Sequence, residues 1–212
     1  MTCARRGCAL ALAAAALAPL GPRAVASSAC PDADLQPFPG NLDRVRHALV
    51  CEINVRRVDS GLPPLTDRAQ LDASAQFHTD DMVESHFLAH QAPGHPALVT
   101  RIRRTGYFRR VTTAIFSENI AAAPQEEASA ATVVEAWMLS PEHRDKILYG
   151  RFRDLGVGAR VAGPDPAFYA DRPSVVYTTD FGRRYPRRRC HARRAAAGGG
   201  PIRYCSMRRA QG

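Results

Sequence analysis

Two segments near the end of the chain alternate apolar and polar residues, and this alternation constrains the fold more than any other feature. They read LGVGARV at residues 155–161 and SVVYTTDFG at residues 174–182, where Val175, Tyr177 and Phe181 share one face. A period of two is typical of strands with one buried face, and the Gly- and Pro-rich stretch between the segments is typical of a turn. The sequence therefore predicts two strands of a small antiparallel sheet.

Helical patterns precede these strands. Two stretches carry apolar residues three and four positions apart, which is the spacing of a helix with one buried face. The first stripe is Leu42, Val45, Leu49 and Ile53, and the second, which follows a start at Thr66 and Asp67, is Leu71, Ala75, His78 and Met82. Further along, the sequence predicts a short helix at residues 97–105, a strand at 111–115 that runs into Glu118, and helices at 125–139 and 140–150. This order predicts an α+β fold with helices on both faces of the sheet.

The first 26 residues have the order of a secretory signal: two arginines, an apolar stretch at residues 8–20, and small residues at 24–26. The apolar stretch of about 13 residues is shorter than the roughly 20 needed to span a bilayer. We therefore expect a signal peptide at residues 1–26 and a secreted, periplasmic or extracellular protein without a transmembrane segment. A lipid anchor on Cys30 is the less favoured alternative.

Charge is distributed unevenly over the rest of the chain. All 20 acidic residues lie between residues 27 and 181, whereas residues 182–212 contain ten arginines and no acid. We expect an N-terminal lead at 27–41, one domain at 42–182, and an Arg-rich tail at 183–212. Such a tail attracts anionic surfaces, although a solvated extension without a specific partner explains it equally well. Export makes nucleic acid an unexpected partner.

Four cysteines remain after the signal, and an even number in an exported chain predicts two disulfides. They are Cys30, Cys51, Cys190 and Cys205. Of the three possible pairings we favour Cys30 with Cys51 and Cys190 with Cys205, since each ties one end of the chain to the body. Free or intermolecular thiols are the alternative.

The stretch SPEHRDKILYG at residues 140–150 contains the residues that begin and end a helix. Ser140 is a favourable N-cap, and Pro141 suits the first helical position. Glu142 suits the positive end of the helix dipole, and Gly150 suits its end. Only His143 is left unexplained. The dipole there disfavours the charged imidazolium, so we expect a neutral ring that can accept a proton or bind a metal.

The segment WMLSPEHRDKIL at residues 137–148 resembles the W-x-x-S-P-x-H-R-x-x-I-L signature of bacterial members of the CAP superfamily, the cysteine-rich secretory protein, antigen 5 and pathogenesis-related 1 group with its SCP domain. Each further match is weak alone, but their order and spacing make the resemblance specific over about residues 42–182. The other matching segments are INVRR with GLPPL (53–65), AQFHTDDM (75–82), HFLAHQAPG (86–94), Arg101 with Gly106-Tyr107, SENIA (117–121), FRDLGVG (152–158) and FG (181–182).

The resemblance implies a three-layer α-β-α sandwich with a central cleft of two histidines and acidic residues, which binds a divalent metal in some relatives. Carried over by position, the histidines are His90 and His143, and the first acid is Glu118. The second acid of many eukaryotic relatives falls on Ser140, so one carboxylate is missing here. Two imidazoles and a carboxylate can hold one divalent ion, with zinc first among the candidates, and leave a coordination position open.

Two further residues are expected beside this cleft. Asn119 follows Glu118 and is expected to bond to backbone. His78 lies on the apolar stripe of its helix, and we favour a satisfied core histidine over a partner of the pocket residues. The pair His86 and His90 has the helical spacing of zinc ligands, but the glutamate of the H-E-x-x-H pattern is absent, so a zinc protease of that class has little support.

Two classes of function remain. The favoured one is an exported binding or interaction module without catalytic residues, for an envelope or extracellular ligand that is a lipid, a glycan or a protein. The alternative is a metal-dependent extracellular hydrolase, peptidase-like, that uses the His/Glu cleft. The carboxylate missing at Ser140 favours binding, because Glu118 cannot easily be both a metal ligand and a general base.

Overall fold

The computed structural model describes residues 30–186 and the backbone of residues 189–193 and 202–206. The predicted signal peptide and much of the predicted tail therefore lie outside the described residues. Along the chain, the elements are α1 (Leu42–Asp59), β1 (Thr66–Asp67), α2 (Ala69–Glu84), α3 (Leu98–Arg104), β2 (Val111–Pro124), a 3-10 turn (Gln125–Glu127), α4 (Ala130–Leu139), α5 (Pro141–Ile147), β3 (Asp154–Ala162), β4 (Ser174–Pro186), β5 (Arg189–Arg193) and β6 (Ile202–Ser206).

The central sheet has the strand order β1-β3-β4-β2, so β2 is an edge strand. Strands β3 and β4 pair antiparallel, as the alternating segments predict, and β4 pairs antiparallel with β2 from Ser174 opposite Pro124 to Pro186 opposite Val111. The predicted α+β sandwich is confirmed. A second, two-stranded sheet consists of β5 and β6.

The predicted start of the second helix at Thr66 and Asp67 is wrong. These residues form β1, which pairs parallel with the beginning of β3. The backbone N–H of Thr66 donates to the carbonyl of Arg153, and that of Arg68 donates to the carbonyl of Leu155. Since these bonds hold the chain extended, α2 begins only at Ala69. The sheet is therefore mixed rather than purely antiparallel.

The predicted helix over residues 125–139 is shorter than expected. The alanines at 121–123 extend β2, where they pair with Val175–Tyr177 of β4, and a 3-10 turn follows at Gln125–Glu127. The hydroxyl of Ser129 accepts a hydrogen bond from the backbone N–H of Thr132, so this N-cap sets the start of α4.

Alternation along β4 divides the core between the two faces of the sheet. Val175, Tyr177 and Phe181 pack with α1 and α4, whereas Val176 packs with Met82 of α2. Helix α2 lies against β3 and β4, and α3 packs on α2. The result is a layer of helices on each face, and Thr178, on the same face of β4 as Val176, contacts the hydroxyl of Thr79 in α2.

The disulfide between Cys30 and Cys51 is confirmed, with 5.7 Å between the two Cα atoms. It fastens the N-terminal lead to α1. Because the sulfur of Cys30 is bonded to Cys51, a thioether-linked lipid on Cys30 is not supported. Backbone pairing places Cys190 opposite Cys205 in β5 and β6, but their side chains lie outside the described residues, so that disulfide stays a prediction. None of the described helices is long and apolar enough to cross a membrane.

Helix α2 approaches β3 so closely that glycine is required in the strand. A Cβ atom added to Gly156 would lie 2.1 Å from the carbonyl carbon of Leu71 and 2.3 Å from the backbone nitrogen of Asp72. The backbone N–H of Val157 also donates to the side chain of Asp72 at 2.9 Å. The helix is thus held against the strand by direct contact and by a hydrogen bond.

We expect Gly156→Ala to lower the free energy of unfolding by about 3 kcal/mol, because the added methyl group forces α2 away from the sheet. Urea denaturation measures the change. Gly163→Ala is the matched control, since nothing lies within 4 Å of a Cβ atom at that position. Equal losses in the two variants would contradict the close approach.

Candidate functional site

Glu118 of β2 is the centre of the candidate site. Its side chain is almost completely buried, and both of its oxygens are engaged. Oε1 lies 2.8 Å from Nδ1 of His90, and Oε2 accepts a hydrogen bond from Nη2 of Arg101. Burial alone raises the pKa of Glu118, but the His90 hydrogen bond and the Arg101 charge outweigh it and hold the pKa below its usual range. The carboxylate is therefore ionised at neutral pH.

Arg101 of α3 fixes the segment that carries His90. Its guanidinium is buried and donates from Nη1 to the carbonyl of Pro96 at 2.9 Å and to that of His90 at 3.5 Å. A second tie lies at the end of the same segment, where Nδ1 of His95 contacts the carboxylate of Asp81 at 2.9 Å. The position of His90 is thus set by backbone as well as by side-chain contacts, although half of its side chain is exposed.

His143 is held from the other side of the cleft. Its Nδ1 lies 2.9 Å from the hydroxyl oxygen of Ser140, and its backbone carbonyl accepts a hydrogen bond from Nδ2 of Asn119 at 3.1 Å. Burial lowers the pKa of His143, and the positive charge of Lys146 lowers it further. The ring is therefore neutral at pH 7, as the sequence predicts for this helix position.

The hydroxyl of Ser140 does not cap α5. Ser140 occupies the N-cap position and its carbonyl accepts from the backbone N–H of Arg144, but its side chain makes no capping hydrogen bond. The hydroxyl holds the imidazole of His143 instead. The local explanation of this serine from helix-start chemistry is therefore incomplete, because the residue also positions the histidine.

Adjacent residues of one edge strand hold both histidines. Glu118 contacts His90, which lies between α2 and α3, while Asn119 contacts His143 in α5. Side chains of adjacent strand residues point to opposite faces, so the two segments reach the edge of β2 from opposite sides of the sheet. Both histidine-bearing segments therefore contact the same edge strand, and His90 is close enough to His143 to affect its pKa.

The donor atoms available for a metal are the Nε2 atoms of His90 and His143. Each ring has its Nδ1 in contact with a neighbour, and no hydrogen bond to Nε2 of either ring is found among the described residues. Glu118 is held by Arg101 and His90, and no three His, Cys, Asp or Glu side chains in the described part of the chain are placed to hold one ion together. The residues therefore fit a pair of imidazole ligands with Glu118 as the partner that orients His90.

His78 lies beneath this carboxylate. It is fully buried, its Nε2 lies 3.0 Å from the carbonyl of Ala89 and 3.8 Å from Oε1 of Glu118, and its Nδ1 has no hydrogen-bond partner. Burial lowers the pKa of His78 despite the nearby Glu118 charge, which raises it. His78 therefore combines the two roles considered from the sequence, since it is a core histidine and a neighbour of the site.

Asp180 is a buried carboxyl group that the sequence patterns do not indicate. It lies directly opposite Glu118 in the pairing of β4 with β2, it is fully buried, and its side chain is close to those of Ser74 and Glu118. Burial raises the pKa of Asp180 well above its usual range, and the charge of Glu118 raises it further. The sequence signal that could have identified Asp180 is an acidic residue at a position of β4 that faces α2.

Two further histidines pair with carboxylates other than Glu118. The side chain of His86 is mostly exposed and contacts Asp165, and His95 contacts Asp81. Trp137 is buried in the core and donates from Nε1 to the carbonyl of Ile120 at 3.3 Å. The side chain of His191 lies outside the described residues.

We expect Glu118→Gln to lower the free energy of unfolding by about 3 kcal/mol, because it leaves the buried guanidinium of Arg101 without its counter-charge. Urea denaturation at neutral pH measures this loss. The control is Glu126→Gln, which removes an ion pair with Arg172 at the surface and is expected to cause no measurable change. If Glu118→Gln were as stable as the wild type, the ion pair with Arg101 would not be the stabilising contact that we infer.

We expect Asp180→Asn to gain stability relative to the wild type as the pH rises. The unfolded chain loses the proton of Asp180 near the ordinary pKa of 3.8, whereas the folded protein keeps it. Because the pKa of Asp180 is raised in the folded state, the aspartate contributes its full stabilisation below the unfolded-state pKa and progressively less as the pH rises above it. Asparagine does not titrate, so its contribution does not change with pH. Unfolding free energies from about pH 4 to about pH 7 test the slope. A constant difference between the two proteins would contradict it, and the exposed substitution Asp171→Asn provides the control.

The sequence profile of the cysteine-rich secretory protein family, CAP, matches residues 50–179. A search of known proteins finds the uncharacterized protein YkwD of Bacillus subtilis (strain 168), which is 29% identical over 120 residues that make up 57% of this chain and 44% of that protein.

Two solved structures are also similar. The extracellular SCP-domain protein of Bacillus anthracis str. Ames is 25% identical, with a TM-score of 0.51 over 69% of this chain and 44% of that chain. An outer surface protein of Borrelia burgdorferi is 20% identical, with a TM-score of 0.49 over 64% of this chain and 90% of that chain. The chain thus spans less than half the length of both Bacillus proteins. Because the family profile covers more than half of the 212 residues, the chain belongs to the cysteine-rich secretory protein (CAP) family.

Proposed function

We propose that the chain is an exported binding module that holds one divalent metal ion between His90 and His143 and uses the surrounding cleft to bind an envelope or extracellular ligand. One observation carries this proposal. Both imidazoles have Nδ1 engaged by a neighbouring side chain, so the same nitrogen, Nε2, is left on each ring. Contacts through Nδ1 are the usual way in which proteins orient a metal-binding histidine.

The chemistry of the two histidines supports a borderline metal such as zinc. Neutral imidazole is the form that binds metal, and the pKa of His143 is lowered by burial and by the positive charge of Lys146. Zinc accepts nitrogen ligands and tolerates open coordination positions. When bound, the ion would supply a positive centre that attracts an anionic or carbonyl oxygen of the ligand.

The surroundings of Glu118 support binding over hydrolysis. A metal-dependent hydrolase needs a general base within reach of the attacking water. Both oxygens of Glu118 are engaged by His90 and Arg101, and its lowered pKa makes it a weak base. Ser140, which stands at the place of the second acid, is itself in contact with His143. The hydrolase remains the alternative, but no contact in the cleft favours it.

The proposed location and ligand class rest on separate features. The signal-like first 26 residues and the Cys30–Cys51 disulfide support export, because disulfides persist in oxidising compartments. Two exposed leucines are neighbours of site residues in the chain, since Leu88 lies two residues before His90 and Leu139 directly precedes Ser140. Such surface suits a ligand with an apolar part. A contact between the Arg-rich tail and anionic surfaces remains a second expectation.

Zinc titration calorimetry on the exported chain, residues 27–212, tests the metal site. We expect the wild type to bind one ion and His90→Ala and His143→Ala each to lose it. Glu118→Gln should weaken zinc binding by about tenfold to a hundredfold without abolishing it, since Glu118 orients His90 and does not contact the ion.

His86→Ala is the matched control, because His86 is a mostly exposed histidine that contacts Asp165 and should leave zinc binding unchanged. Equal zinc binding by the wild type and by both cleft variants would refute the metal site. Peptide and ester hydrolysis that disappears with a chelator and with His143→Ala would instead favour the hydrolase over the binding module.

A further inference from the structure

A second cavity lies between α2 and α3. Its volume is about 440 Å³, within the range of small-molecule sites. None of the cleft residues His90, Glu118 and His143 lines it. The lining residues are Ala69, Gln70, Ala73, Ser74 and Phe77 of α2, Arg101 and Arg104 of α3, and Thr105.

One buried polar group in this lining has no partner among the described residues. Arg101 is about 1% exposed and its Nε makes no hydrogen bond there, whereas the hydroxyl of Ser74 lies against the carboxyl group of Asp180. Buried polar atoms are nearly always paired, and an unpaired one costs about 1–3 kcal/mol. The N–H at Nε is a donor, so a ligand that supplies an acceptor oxygen would satisfy it.

The charge of the lining selects the type of acceptor. The lining contains two arginines, Arg101 and Arg104, and no acidic residue. The charge of Arg101 is already balanced by Glu118, but Arg104 makes no ion pair among the described residues. Asp180, behind Ser74, is held neutral by burial. An oxygen group that carries a negative charge therefore fits this cavity better than a neutral one.

The remaining lining is apolar and shaped by small side chains. Ala69 and Ala73 lie one turn apart on α2 and leave room above the helix, and Phe77, nearly half exposed, follows one turn later. The guanidinium of Arg104 lies 6.0 Å from the centre of the Phe77 ring. This wall can cover the flat or aliphatic body of a small molecule.

We propose that this cavity is a second binding site, distinct from the metal cleft, for a small carboxylate with an aromatic or short aliphatic body. The carboxylate faces Arg101 and Arg104, and the body lies along Ala69, Ala73 and Phe77. The site does not depend on metal at His90 and His143.

Calorimetric titration of the exported chain with 1-naphthoate, in the absence of divalent metal, tests this site. We expect saturable binding, and binding of the neutral 1-naphthalenemethanol at least about tenfold weaker, because it lacks the charge that Arg104 attracts. Arg104→Gln should remove most of the difference between the two probes. Equal binding of acid and alcohol by the wild type would overturn the carboxylate class.

A variant that fills the cavity locates the binding. Ala73 is exposed, so Ala73→Phe should fold normally and weaken naphthoate binding at least about tenfold. Ala136→Phe, at an exposed alanine of α4 on the other side of the sheet, is the control and should bind as the wild type does. Urea denaturation first establishes that both variants are folded. Unchanged binding by folded Ala73→Phe, or no binding of naphthoate to the wild type at millimolar concentration, would overturn the site.

Discussion

The ion pair between Arg101 and Glu118 is the interaction on which the site depends. A charge buried from water is tolerated only when a counter-charge and hydrogen bonds replace its hydration. Here the carboxylate of Glu118 contacts Arg101 and His90, and Nη1 of Arg101 donates to two carbonyls of the segment that carries His90. Because the buried charge needs all of these partners, helix α3, the segment that carries His90 and the side chain of His90 are held in a single arrangement.

The position of β2 explains why this arrangement is at the surface. In an inner strand, the residues that flank Glu118 would be covered on both sides by neighbouring strands. Because β2 is at the edge, the segment of His90 and helix α5 can each contact one of its residues, Glu118 and Asn119 respectively. The backbone of β2 pairs with β4 from Thr113 to Pro124 without interruption, and the register shifts between Val111 and Thr113.

Periodicity was enough to predict most elements, since α1 and α2 each bury one regular face, and β3 and β4 show a period of two although both of their faces are buried. It did not reveal β1, because two residues are too few to show a period, nor the alanine part of β2, because alanine favours helix unless partners such as Val175 and Tyr177 pair with it. The candidate cleft residues came from family resemblance. The partners of Arg101, the burial of Asp180 and the second role of Ser140 depend on tertiary contacts, which no local pattern encodes.

The contact between Ser140 and His143 has a consequence for how such a cleft changes over evolution. A carboxylate at this position would add a negative charge beside the imidazole and favour its protonated form, whereas a hydroxyl can accept or donate a hydrogen bond without adding charge. Serine therefore preserves the orientation of the ring while its basicity stays low. A single codon at position 140 can thus alter the electrostatics of the cleft without rebuilding the helix that presents it.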